Sequence, residues 1–72
     1  MKFRHIVKFY KLNDDCTVTV QVGDQYYRCK ARFDLLKALI ERGVKLGDDI
    51  ECEFGIAYVR GQGMIIQLIE VL

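Results

Sequence analysis

The chain has 72 residues, 51% of them hydrophobic and 29% charged, and a formal net charge of +1. That length reads as one domain over 1–72; it buries only about 60% of its extended surface, which excludes a deep enzymatic cleft, and the hydrophobic content excludes a disordered chain. No apolar run approaches the roughly 20 residues that cross a bilayer, and the opening MKFRHIVKFY is too charged for a secretory core, so the expectation is a soluble, cytoplasmic protein with no membrane partner.

Residues 2–12 (KFRHIVKFYKL) alternate, with Phe3, His5, Val7 and Phe9 on a core face and Lys2, Arg4, Ile6, Lys8 and Tyr10 on a mostly basic one. Asn13-Asp14-Asp15 supplies a turn. Cys16 to Val22 alternates again, with Cys16, Val18, Val20 and Val22 inward and Thr17, Thr19 and Gln21 outward. Gly23-Asp24, glycine first, fits a type II′ hairpin. A third strand, Gln25 to Phe33, then points Tyr27, Cys29, Ala31 and Phe33 inward and Tyr26, Arg28, Lys30 and Arg32 outward.

Asp34 to Gly43 (DLLKALIERG) is the one helical stretch. Leu35, Leu36, Leu39 and Ile40, followed by Gly43 and Val44, gather on one stripe at 100° per residue. Asp34 suits an N-cap and Gly43 a C-terminal stop. A helix this short is marginal alone, so its leucines must pack onto a sheet. A short return through Gly47-Asp48 leads to a fourth strand, Asp49 to Phe54, with Ile50, Cys52 and Phe54 inward and an acidic row, Asp49, Glu51 and Glu53, outward. Gly55 is expected to bend or bulge the strand on its way to Val59. Arg60-Gly61-Gln62-Gly63 is the last turn, and Met64 to Leu72 is apolar on both faces except at Gln67 and Glu70.

Three strands, a helix and two more strands make a mainly β chain. The order is that of the OB-fold, a five-stranded Greek-key barrel with its helix between strands three and four; a β-grasp and an SH3-like barrel with an added helix are the alternatives. Leu46-Gly47-Asp48-Asp49-Ile50-Glu51-Cys52-Glu53, followed by Arg60-Gly61-Gln62-Gly63-Met64-Ile65-Ile66, resembles the fourth strand and glycine-turned final hairpin of S1-type OB domains, the family of the small bacterial translation initiation factor. The resemblance covers the C-terminal third, and the first two strands by pattern alone. The chain is far less basic than that factor, and its helix is more strongly amphipathic.

No catalytic constellation is legible. Cys16, Cys29 and Cys52 are odd in number, lack a CxxC pair and fall on apolar alternating positions, which reads as reduced core thiols and not as a disulfide framework or zinc site. His5 is the only histidine and reads as a core-edge residue. With no nucleophile, base and orienting group to assemble, the chain is expected to be neither an enzyme nor a cofactor or metal protein. The charge is unevenly spread: residues 1–37 carry eight Lys/Arg against four Asp, and residues 38–72 three against six Asp/Glu.

These features point to a binding module. Cations interleaved with aromatic rings suit single-stranded RNA or DNA, because phosphates need positive charge and unstacked bases need a flat π-face. The candidate contacts are Lys2, Arg4, Lys8 and Tyr10 on the first strand, Tyr26, Arg28, Lys30 and Arg32 on the third, and Tyr58 and Arg60 near the last turn. The alternative is a small protein–protein adaptor or inhibitor docking through the acidic fourth strand or the apolar last one, as a monomer or a weak homodimer.

Overall fold

A computed structural model describes all 72 residues, Met1–Leu72. Five strands, β1 (Lys2–Leu12), β2 (Thr17–Val22), β3 (Gln25–Ala31), β4 (Asp49–Val59) and β5 (Gly63–Val71), close into a barrel in the order β1-β2-β3-β5-β4. The helix, α1 (Phe33–Glu41), lies between β3 and β4. It is not long and apolar enough to cross a membrane. Long β1 serves both halves of the wall, pairing with β4 from Lys2↔Gly55 to Lys8↔Asp49 and with β2 from Lys8↔Gln21 to Leu12↔Val18. Every pairing is antiparallel except β3 with β5, which is parallel and meets only at Lys30↔Gln67 and Ala31↔Leu68. This closed order is OB-like, and it decides against an open β-grasp sheet.

The interior follows the period-2 pattern where the barrel is closed. Val7, Phe9, Val18, Val20, Ile50 and Phe54 are buried, as are Cys29, Cys52 and Leu68. Gly23, at φ +61°, opens the two-residue hairpin between Val22 and Gln25, the conformation a glycine-first turn needs. Beyond the barrel wall, past the start of β1 at Lys2↔Gly55, β4 and β5 continue as a hairpin arm paired from Ile56↔Ile66 to Val59↔Gly63.

The helix starts and faces differently from the pattern. Arg32, not Asp34, holds the N-cap position, and no side chain caps the first turn; the amides of Leu35 and Leu36 both reach the Arg32 carbonyl. Asp34 instead sits in the first turn, where its charge favours the positive end of the helix dipole and pairs with Arg32 at 3.3 Å. At the other end Gly43 takes φ +67°, its amide bonds to the Ile40 carbonyl, and the Val44 amide reaches Leu39, a Schellman closure. Leu36 and Leu39 are buried and Leu35 is half-buried, but Ile40 is 64% exposed. Phe33, expected at the inner end of β3, is the first helical residue and is exposed, because β3 stops at Ala31 and the chain turns at once.

Four further positions depart from strict alternation. The β1–β2 register slips between Phe9 and Lys11, so Tyr10 is an extra residue: Lys11 comes opposite Thr19, and Leu12 turns to the core. Cys16, expected inward, is exposed at φ +60° ahead of β2. Thr17, expected outward, is buried because the loop folds over it: Asn13 Nδ2 donates to its hydroxyl at 3.0 Å, and that hydroxyl donates to Asp15 at 2.6 Å. Gly55 does not interrupt β4. The irregularity is on β5, where Ile69 is the extra residue between Glu70↔Glu53 and Leu68↔Phe54; a Cβ on Gly55 would stand 2.8 Å from Ile69 Cδ1.

The three thiols differ in the same way. Burial pushes the pKa of Cys29 and Cys52 up to about 11. Ellman's reagent should therefore titrate one thiol, Cys16, in the native protein at pH 8 and all three in denaturant; three fast-reacting thiols would refute the burial. A thiol pKa raised by folding holds its stabilisation below the unfolded value of 9.0 and loses it as pH climbs towards 11. The unfolding free energy from urea denaturation should accordingly fall over that window, by up to about 1.4 kcal/mol per pH unit for each thiol.

Candidate nucleic-acid interface

The outer face of β1–β3 is assembled by cross-strand register. Lys8 lies opposite Gln21 and Gln21 opposite Tyr26; Lys11 lies opposite Thr19 and Thr19 opposite Arg28; Thr17 lies opposite Lys30. One sheet surface thus holds Lys8, Tyr10, Tyr26, Arg28 and Lys30 of the expected contacts. Lys11 joins them. Strict alternation hides Lys11, and its signal is Leu12: an apolar residue on the polar parity just before a turn marks a slipped register.

At the centre, the rings of Tyr10 and Tyr26 meet edge to face, centroids 4.9 Å apart and planes at 66°. The pair fixes both rings, and Tyr26 remains 56% exposed, so one aromatic face is held open to solvent. Around it the cations are partly matched. Lys8 Nζ lies 3.0 Å from Asp49 of β4, and Arg28 lies 3.6 Å from Asp15 of the β1–β2 loop. The Thr17 hydroxyl holds the Asp15 carboxyl below the usual range, with Arg28 and Lys30 acting in the same direction. Lys11 and Lys30 have no carboxylate within ion-pair distance. Exposed pairs of this kind contribute about 0–1 kcal/mol, so a phosphate can displace the carboxylate.

The other expected contacts stand elsewhere. Lys2 and Arg4 are on the β1 half that faces β4, where Arg4 pairs with Glu53 at 3.9 Å. Arg32 caps α1 beyond the end of β3. Tyr58 shares the side of β4 that carries Phe54 and Ile56, the inner face continued along the arm, and Arg60 is in the turn at its tip. The acidic row of β4 lies against the basic row of β1, Asp49 and Glu53 each taking a cation. The apolar last strand is paired along its length with β4 but meets β3 only at Gln67 and Leu68; Leu68 is buried and Ile65 and Ile69 are half-buried. No three His, Cys, Asp or Glu side chains are grouped to hold a metal ion.

Fold and face together define a small OB-like barrel with an aromatic and cationic patch on its three-stranded side. Compared with protein families, curated proteins and solved structures, the chain shows no match.

Proposed function

We propose that the chain is a non-enzymatic binding module for single-stranded nucleic acid, which it holds on the outer face of β1–β3. The observation that carries this is the Tyr10–Tyr26 pair, two polar-tipped rings locked together in the open at 4.9 Å with Lys8, Lys11, Arg28 and Lys30 on the same surface. A base stacks on the exposed Tyr26 ring, and the four cations take the neighbouring phosphates. Sequence tolerance follows from this, since stacking reads a π-face that every base has. OB barrels take oligonucleotides on this side, between the loops after strands one and four. The similarity of residues 46–53 and 60–66 to S1-type OB domains points in the same direction at the level of fold. Docking of a protein through β4 has less in its favour, because Asp49 and Glu53 of its acidic row already pair with Lys8 and Arg4 of β1.

Fluorescence anisotropy with a labelled single strand of about 12 nucleotides tests this directly. Affinity should fall with salt at a log–log slope of about −3, the value for four phosphates neutralised on a single strand. Absence of binding at low salt, or equal affinity for a duplex of the same length, rejects the proposal.

A further inference from the structure

The two ends of the barrel are unlike. α1 closes one with Leu36 and Leu39. At the other, where β1, β3 and β5 begin and β2 ends, the bore opens to solvent as a cavity of about 230 Å³. All five strands contribute to its wall. Phe3 and Phe54 form one aromatic side, rings stacked at 5.5 Å, and Val22, Tyr27 and Ile66 face them from β2, β3 and β5. Phe3 and Tyr27 carry inward parity yet are 38% and 41% exposed, because nothing in the chain fills the space between them. Of the nine residues around the cavity only His5 is not hydrophobic, and none is an acid, a lysine or an arginine. Outside the rim, the arm continues the same face through the exposed pair Tyr58↔Met64.

We propose that this mouth is a binding site for an uncharged, ring-shaped apolar molecule with a single hydrogen-bonding group, which the His5 imidazole receives. The size follows from the volume. An apolar cavity of about 150 Å³ takes up benzene, so about 230 Å³ accommodates about nine non-hydrogen atoms, the size of indole. The absence of charge follows from the wall, where an ion would lose its water and find no counter-charge. A nucleobase fits poorly by the same reasoning: its edge carries several polar groups, and the wall offers only the His5 imidazole and the Tyr27 hydroxyl. Barrel mouths are common places for such ligands. The site lies inside the bore and does not share residues with the outer face of β1–β3, so the two proposals stand or fall separately.

Titration of the ¹⁵N-labelled full chain with indole, followed by amide shifts, tests it. The expected result is a saturable change confined to the amides of Phe3, His5, Val22, Tyr27 and Ile66, half-complete below about 5 mM, the range that an efficient ligand of this size reaches. Val22→Trp, which places a ring in the mouth, should weaken indole binding at least tenfold. His5→Leu serves as a second variant should that one fold poorly: it should retain toluene, which has no polar group, while losing indole about fivefold. Shifts centred on Tyr10, Thr19 and Tyr26, a response still linear at the highest concentration, or indole binding unchanged in both variants would each overturn the proposal.

Discussion

Leu39→Ala should destabilise the protein by about 2–5 kcal/mol, the range for removing a buried leucine and leaving its cavity. Leu39 is 1% exposed and lies at the centre of the helix face that closes the barrel. Chains of this length are stabilised by roughly 4–11 kcal/mol in all, so the substitution takes away a large share and leaves a barrel that unfolds at low urea. The informative control is its neighbour. Ile40 is 64% exposed and lies about 100° further round the helix, so Ile40→Ala should change stability by no more than about 0.5 kcal/mol. Urea denaturation at constant m separates the two cleanly. Equal losses for both variants would mean that α1 is rotated about its axis and that its plug is not Leu36 and Leu39.

Replacing the aromatic pair has the largest expected effect on binding. Tyr26→Ala should reduce affinity for a short single strand about 5- to 150-fold, since stacking contributes about 1–3 kcal/mol per base and each 1.4 kcal/mol is tenfold. Tyr10→Ala should act in the same direction by releasing the Tyr26 ring from its edge contact at 4.9 Å. Neither should alter the fold, because both rings stand on the outer surface. Tyr58→Ala is the comparison: Tyr58 lies on the arm, on the opposite side of the sheet wall, and its removal should change affinity by less than about twofold, as for a residue outside the contact. A loss at Tyr58 equal to that at Tyr26 would falsify the assignment to β1–β3 and move the interface to the rim of the barrel. The salt slope gives an independent reading, because removing a ring leaves the count of phosphate contacts unchanged.

Much of the architecture is legible before any coordinates. Alternation from Val7 to Phe9, Val18 to Val20 and Ile50 to Phe54 marks the core, because a pleated strand with one buried face permits little else. Gly23 and Gly43 announce their turns, since their positive φ is what a Cβ resists. The aromatic and cationic residues of the outer face are legible as well, as outward positions on neighbouring strands. Less legible are the places where long-range contacts override a local rule. A slipped register at Tyr10 adds Lys11 to the face, and an immediate turn after Ala31 removes Arg32 from it.

By itself the amino-acid sequence determined the number and order of the elements and the inner faces of the strand centres, because these depend on period and on turn residues a few positions apart. Only the tertiary structure decided which elements are neighbours. Parallel pairing of β3 with β5 closed the barrel, and antiparallel pairing of β1 with β4 set a basic row against an acidic one. That pairing joins charges 41 to 49 residues apart, Lys8 to Asp49 and Arg4 to Glu53; with Asp15 of the loop beside Arg28, it leaves Lys11 and Lys30 as the unmatched cations of the outer face. No local pattern carries such information. The open mouth has the same origin: Phe3, His5 and Tyr27 point inward by period, and they stay wet because α1 closes only the other end.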